Sequence, residues 1–272
     1  MGIVFAGAGS HAPGIRAWAD AAEKEAKENF YSAYDQLNKS FDNSGAEVLI
    51  TLTSEHWTNF FLDHSSAFCI GRAEQYSGPV EPWLGIEPRK IPGNPELSEE
   101  IISQCYLNEF EVGFSEELKF DHGTMIPLSF VTPNFDVPIV PIFFNTLMDP
   151  RPSARRCFKL GQAIGALLNE KSQKIGVIAT GGLSHDPGEI GHGEINSDFD
   201  NTFLNNLSSN NQEQLIAYTD DELFSQGGGT PEILAWICLA GIMTNQQGRV
   251  ASVLSYEAIK PWATGVAVVE YV

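Results

Sequence analysis

The sequence predicts an α/β fold: one domain over residues 1–272, with a mixed central sheet flanked by helices and its site at the carboxyl ends of strands. Three observations lead there. Short apolar runs of strand character alternate with longer stretches of helical spacing. No linker, internal repeat or low-complexity segment divides the chain. Hydrophobic residues make up 43% and charged residues 19%, enough for a sizeable core and too little charge for a disordered chain.

Residues 3–6 read as a short buried strand closed by Gly7-Ala8-Gly9. Residues 16–41 carry a charged, alanine-rich helical pattern. Residues 47–53 (EVLITLT) are largely apolar, as in a strand buried on both faces. The Pro- and Gly-rich stretch 75–96 reads as a long loop and 95–108 as a helix. Residues 137–144 (VPIVPIFF) hold two prolines, which cannot donate to a ladder, so an edge or irregular strand is expected. An amphipathic helix follows at 153–169, then a buried strand at 175–180 closed by Gly181-Gly182. Helical patterns at 194–208 and 211–218 precede a strongly apolar helix at 231–243. The tail holds two strand-like runs, 249–256 and 264–271.

The formal net charge of −19 argues against partners rich in phosphate, so neither nucleic acid nor an anionic membrane is expected. No run approaches the ~18 apolar residues of a membrane span. The first residues lack the basic start of a secretory signal. Four cysteines form no CxxC pair, and Cys69 and Cys238 sit in apolar runs as buried thiols. A reducing cytoplasm is the expected location.

The histidines carry the functional signal. His11, His56 and His185 each follow a strand. Ligands of open α/β sheets bind beyond the carboxyl ends of strands, so these three are expected to share one crevice. A dinucleotide fingerprint competes at Gly7-Ala8-Gly9-Ser10-His11-Ala12. Pro13 and Gly14 delay the helix that would receive a pyrophosphate, and the acidic partner at a second strand end is missing.

Two imidazoles from different strand ends supply half of a metal site, and a carboxylate would complete a facial triad for non-haem Fe(II). Glu232 is the candidate. It follows Gly227-Gly228-Gly229 and Thr230-Pro231, which read as a flexible loop, a helix N-cap and a first helical residue. Compensation of a helix dipole is its competing role. His122, in Phe120-Asp121-His122-Gly123, reads either as a turn residue or as a hydrogen-bonding group beside the metal. His64 and His192 read as surface or loop residues.

Taken in order, these motifs resemble the class III extradiol ring-cleavage dioxygenases. The matching blocks are Ser10-His11-Ala12-Pro13, Glu55-His56-Trp57-Thr58-Asn59-Phe60-Phe61, and Asp121-His122-Gly123 with Pro127-Leu128. Val137-Pro138-Ile139-Val140-Pro141, Gly181-Gly182-Leu183-Ser184-His185 and Thr230-Pro231-Glu232-Ile233 with Trp236 follow. The tail around Trp262 and Gly265 completes the set. The resemblance runs to the dihydroxyphenylpropionate and aminobiphenyldiol branch. Two departures are Glu55, where many members have Asp, and a shorter segment between His185 and Glu232. The resemblance implies Fe(II) held by His11, His56 and Glu232. It implies His185 as the acid–base residue and His122 as a second such group.

Those implied parts suit the chemistry. A catechol or 2-aminophenol must lose a proton to chelate iron, and a base of near-neutral pKa removes it. Three protein ligands leave room for a chelating diol and O2. The implied product is of the hydroxymuconic semialdehyde type. A Zn(II) hydrolase or lyase on the same ligands and a non-catalytic partner subunit are the competing readings. The resemblance also implies a homo-oligomer, or a hetero-oligomer with a small or paralogous subunit.

No arginine stands within three residues of the five site positions, whereas Trp57, Phe60, Phe61, Phe120 and Trp236 crowd the same motifs. An apolar or aryl substituent is therefore expected on the substrate, unless Arg151, Arg155 or Arg156 folds into the site.

Overall fold

A computed structural model describes residues 2–272. In chain order the elements are β1 (Gly2–Gly9), α1 (Gly14–Ala17), α2 (Lys24–Ser44), β2 (Val48–Ser54), β3 (Phe68–Gly71), β4 (Gln75–Gly78) and β5 (Arg89–Pro92). Next come α3 (Pro95–Leu107), β6 (Gly113–Ser115), α4 (His122–Val131), β7 (Ile139–Phe144), α5 (Ala154–Asn169) and β8 (Lys174–Thr180). The chain ends with α6 (Ser197–Ser208), α7 (Gln212–Leu215), α8 (Asp220–Phe224), α9 (Ile233–Met243), β9 (Ala251–Ile259) and β10 (Thr264–Tyr271).

Eight strands form a mixed sheet in the order β6-β3-β7-β2-β8-β1-β10-β9. The centre is parallel: β7 with β2, β2 with β8, and β8 with β1. β3 and β10 run antiparallel to their inner neighbours β7 and β1. Strand residues alternate between two cores. Val48, Ile50 and Leu52 of β2 join Ile175, Val177 and Ala179 of β8 on the face covered by α3, α5, α6 and α9. Leu49 and Ile178 point to the face covered by α2 and α4.

All eleven residues of α9 are buried. This helix is apolar on every side because it lies between the sheet and α5. The two helices meet at glycines: a Cβ on Gly161 would stand 2.0 Å from the Cys238 carbonyl oxygen. No helix among the described residues is long and apolar enough to cross a membrane.

Several expectations need correction. β7 lies inside the sheet, between β3 and β2, and is buried throughout. Its prolines are tolerated because Pro138 precedes the strand and the ladder to β3 ends at Ile70 opposite Ile142, just short of Pro141. The stretch read as a loop contains the β4–β5 hairpin. The region around His122 is a helix, α4, despite Pro127 within it. Thr230 does not cap a helix: residues 230–232 form a 3-10 turn, and the Thr230 hydroxyl is buried without a partner.

Candidate active site

β2, β8 and β1 are neighbours and parallel, so their carboxyl ends open on one crevice. His56 comes from the segment after β2, His185 from that after β8, and His11 from that after β1. The turn before α9 adds Glu232, and the start of α4 adds His122. All five residues singled out in the sequence meet here. His64 and His192 are exposed, as expected of surface residues, although His192 lies on the rim of the crevice.

The Glu232 carboxylate is buried and stands between the histidines. Its Oε2 lies 3.1 Å from His11 Nε2, and its Oε1 lies 3.0 Å from His56 Nε2 and 3.7 Å from His185 Nε2. The Gly182 amide donates to Oε2 at 2.6 Å. The rings of His11 and His56 meet edge to face at 82°, with centroids 5.0 Å apart. His122 stacks on His56 at 4.1 Å with 30° between the planes. One ring nitrogen from each of His11, His56 and His122 lies within 4.8 Å of the other two, a spacing that could hold a metal ion.

Each ring is oriented from behind. The Gly123 carbonyl and the Thr180 hydroxyl lie 3.1 and 3.0 Å from His11 Nδ1. A proton on Nδ1, donated to the carbonyl, leaves Nε2 with a free lone pair. That Nε2 is buried and makes no aligned hydrogen bond. A buried nitrogen of this kind, flanked by a second imidazole and a carboxylate, fits a divalent transition metal.

Asp121 caps α4 through the Gly123 amide at 2.9 Å and accepts from His56 Nδ1 at 3.1 Å. Glu81 accepts from the His122 amide at 2.5 Å and from its Nδ1 at 2.6 Å. The Leu183 carbonyl takes the His185 Nδ1 proton at 3.0 Å. Glu55 gathers the backbone amides of Trp57, Thr58, Asn59 and Phe60, which shapes the loop after His56. Sequence reasoning missed the supporting roles of Asp121, Glu81 and Thr180. Only Asp121 carried a signal, as an Asp directly before a helix.

The charges divide the histidines. Burial lowers the pKa of His11 and outweighs the pull of Glu232. Burial opposes charge on His56 too, but Asp121 and Glu232 raise it well above the ordinary value. For His185, burial is outweighed by Glu232 and the Leu183 carbonyl, and its pKa rises. Burial works against the Glu232 carboxylate, yet His11 and His185 hold its pKa well below the usual range.

A family described as the catalytic LigB subunit of aromatic ring-opening dioxygenase matches residues 6–267. The chain belongs to this family. It is an aromatic ring-cleavage dioxygenase by that membership, which leaves a zinc hydrolase or an inactive partner without support. A 2,3-dihydroxyphenylpropionate/2,3-dihydroxicinnamic acid 1,2-dioxygenase of Photorhabdus laumondii is 27% identical, over 96% of this chain and 94% of its own length. A namesake from Cupriavidus necator is 24% identical over 81% and 83%. A gallate dioxygenase of Pseudomonas putida is 32% identical over 59% of this chain and 49% of its own. The fold of this LigB-family dioxygenase is shared by a crystal structure of an uncharacterized protein from Escherichia coli K12. There the TM-score is 0.58 at 19% identity, over 89% of this chain and 91% of the other.

Proposed function

We propose that this dioxygenase opens the ring of a catechol or 2-aminophenol beside its two heteroatom substituents, using Fe(II) and O2, to give a hydroxymuconic semialdehyde type of product. One observation carries the reading: the Nε2 atoms of His11 and His56 each lie about one hydrogen-bond length, 3.1 and 3.0 Å, from an oxygen of the single buried carboxylate Glu232. These three residues would hold the iron. His122 is assigned a different role. Its ring lies face to face with His56 at a tilt of 30°, a less favourable arrangement for two in-plane lone pairs to converge on one ion. The 82° between His11 and His56 supports convergence.

When bound, Fe(II) supplies a redox path between the chelated ring and O2. The chain's own residues handle position and protons. His185 donates Nδ1–H to Leu183, so its Nε2 receives a proton from the substrate hydroxyl as the diol binds. His122, its Nδ1 bonded to Glu81 and its ring stacked on His56, is positioned as the second acid–base group. Asp121 fixes the His56 ring, and the Thr180 hydroxyl and Gly123 carbonyl fix that of His11. Four buried free cysteines support a reducing compartment, the cytoplasm.

The test is anaerobic loading with Fe(II), addition of catechols and aminophenols, then admission of O2. Stoichiometric O2 uptake with a yellow ring-opened product is expected. Uptake that needs no iron, or no uptake with any diol or aminophenol, contradicts the reading.

A further inference from the structure

The crevice above the five residues encloses about 830 Å³, ample for a substituted diol. Among the described residues its lining contains no lysine and no arginine. Beside Glu232, the only carboxylates on it are Asp186 and Glu189. The outer walls are apolar, built from Trp18, Trp57, Leu147, Ile190, Phe224 and Trp262.

The basic residues that could have entered are held elsewhere. Arg151 pairs with Asp220 at 2.6 Å and Asp149 at 2.9 Å, and Arg156 lies 3.9 Å from Glu111. Arg151 and Arg155 line a separate cavity. Arg16, close to Trp18 in sequence, donates to Ser129 at 2.9 Å and lies over the Phe130 ring at 3.7 Å. Lys260 is exposed beside the lining residue Pro261 and is not itself part of the wall.

A carboxylate entering this crevice would give up hydration with no lysine or arginine to replace it, only imidazoles that Glu232 already engages, and would face two further carboxylates. An apolar group would instead cover the tryptophan faces and gain from leaving water. Trp18 is set for this. Its Nε1 donates to the Pro261 carbonyl at 3.2 Å, and its ring stacks on Trp83 at 6.0 Å.

We propose that the site takes ring-opening substrates whose substituent is uncharged and apolar and discriminates against carboxylate-bearing counterparts, with Trp18 and Ile190 as the specificity-determining residues. This rests on the ring-opening reading. It also separates the chain from the relatives whose names specify dihydroxyphenylpropionate or gallate, both of which are acids.

A matched pair isolates the charge: 2,3-dihydroxyphenylpropionate and its methyl ester. Both are titrated into the Fe(II)-loaded enzyme under argon, with binding read by tryptophan fluorescence, and kcat/KM is then measured in air. The ester is expected to bind at least about tenfold more tightly and to show the higher kcat/KM. Trp18→Ala should weaken the ester more than the acid. Ile190 is fully exposed at the crevice, so Ile190→Arg leaves the fold intact. It should tighten the acid about tenfold and weaken the ester, which loses part of its apolar wall. Equal or tighter binding of the acid to the unaltered enzyme overturns the proposal. If Lys260→Ala then removes that binding, Lys260 is the cation the proposal denies. An ester preference in binding, without ring opening of either compound or of unsubstituted catechol, overturns the ring-opening reading and leaves the binding preference standing.

Discussion

Asp121 grips His56 twice: one carboxylate oxygen accepts from both the backbone amide and the ring Nδ1 of His56, each at 3.1 Å. The same side chain caps α4 and so ties the ring to a rigid element. His56 charge pulls the Asp121 pKa far below the usual carboxylate range, even though burial acts the other way. Asp121 therefore stays ionised and keeps Nδ1 protonated, which leaves Nε2 for a ligand. Asp121→Asn is expected to weaken Fe(II) binding by about 10–100-fold, measured by competition with a chelator under argon. An unchanged affinity would show that His56 needs no such support.

Gly229 leaves room for the His185 ring. A Cβ at this position would stand 2.1 Å from His185 Nε2. Gly229→Ala should push the ring off its position and lower kcat by about 10²–10⁴-fold, as His185→Ala should, with iron retained in both. Loss of iron in His185→Ala would make that residue a ligand.

The α5–α9 crossing is a test of packing alone. Gly161→Ala sets a methyl group against the Cys238 carbonyl, a backbone atom that cannot step aside. Destabilisation of about 1–3 kcal/mol is expected from urea unfolding. A shift within error would mean that the helices separate at no cost.

Asp200, which accepts from Ser184 beside His185 and is also acted on by the charge of His185, supplies a further pH dependence. It is buried, and burial raises its pKa above 3.8 although Ser184 and Tyr256 donate to it. The folded state therefore holds this proton more tightly than the unfolded chain. The stability it contributes is full below 3.8 and fades as pH rises through the raised folded value. Asp200→Asn removes this dependence. The difference in urea midpoint between variant and native protein should move in favour of the variant across that window. Parallel curves would contradict it.

Much of the site was legible because its residues follow strands. The runs at 47–53 and 175–180 announce β2 and β8, and the apolar stretch at 231–243 announces the helix behind Glu232. What stayed hidden depends on contacts between distant segments. Pro127 disguised α4, and with it the helix start that presents His122. Pro138 and Pro141 suggested an edge for β7, since only the register with β3 shows that neither interrupts the ladder. Glu81 reaches His122 from a loop 41 residues away, a pairing that no local pattern encodes.

Iron content decides between the two donor sets that the geometry brings together. Glu232→Ala and His122→Ala are loaded with Fe(II) under argon, desalted and analysed for metal per chain. Glu232→Ala should retain almost none, whereas His122→Ala should retain about one equivalent and lose activity by about 10²–10⁴-fold. Full retention by Glu232→Ala together with loss by His122→Ala would make the site three histidines and contradict the facial triad of His11, His56 and Glu232.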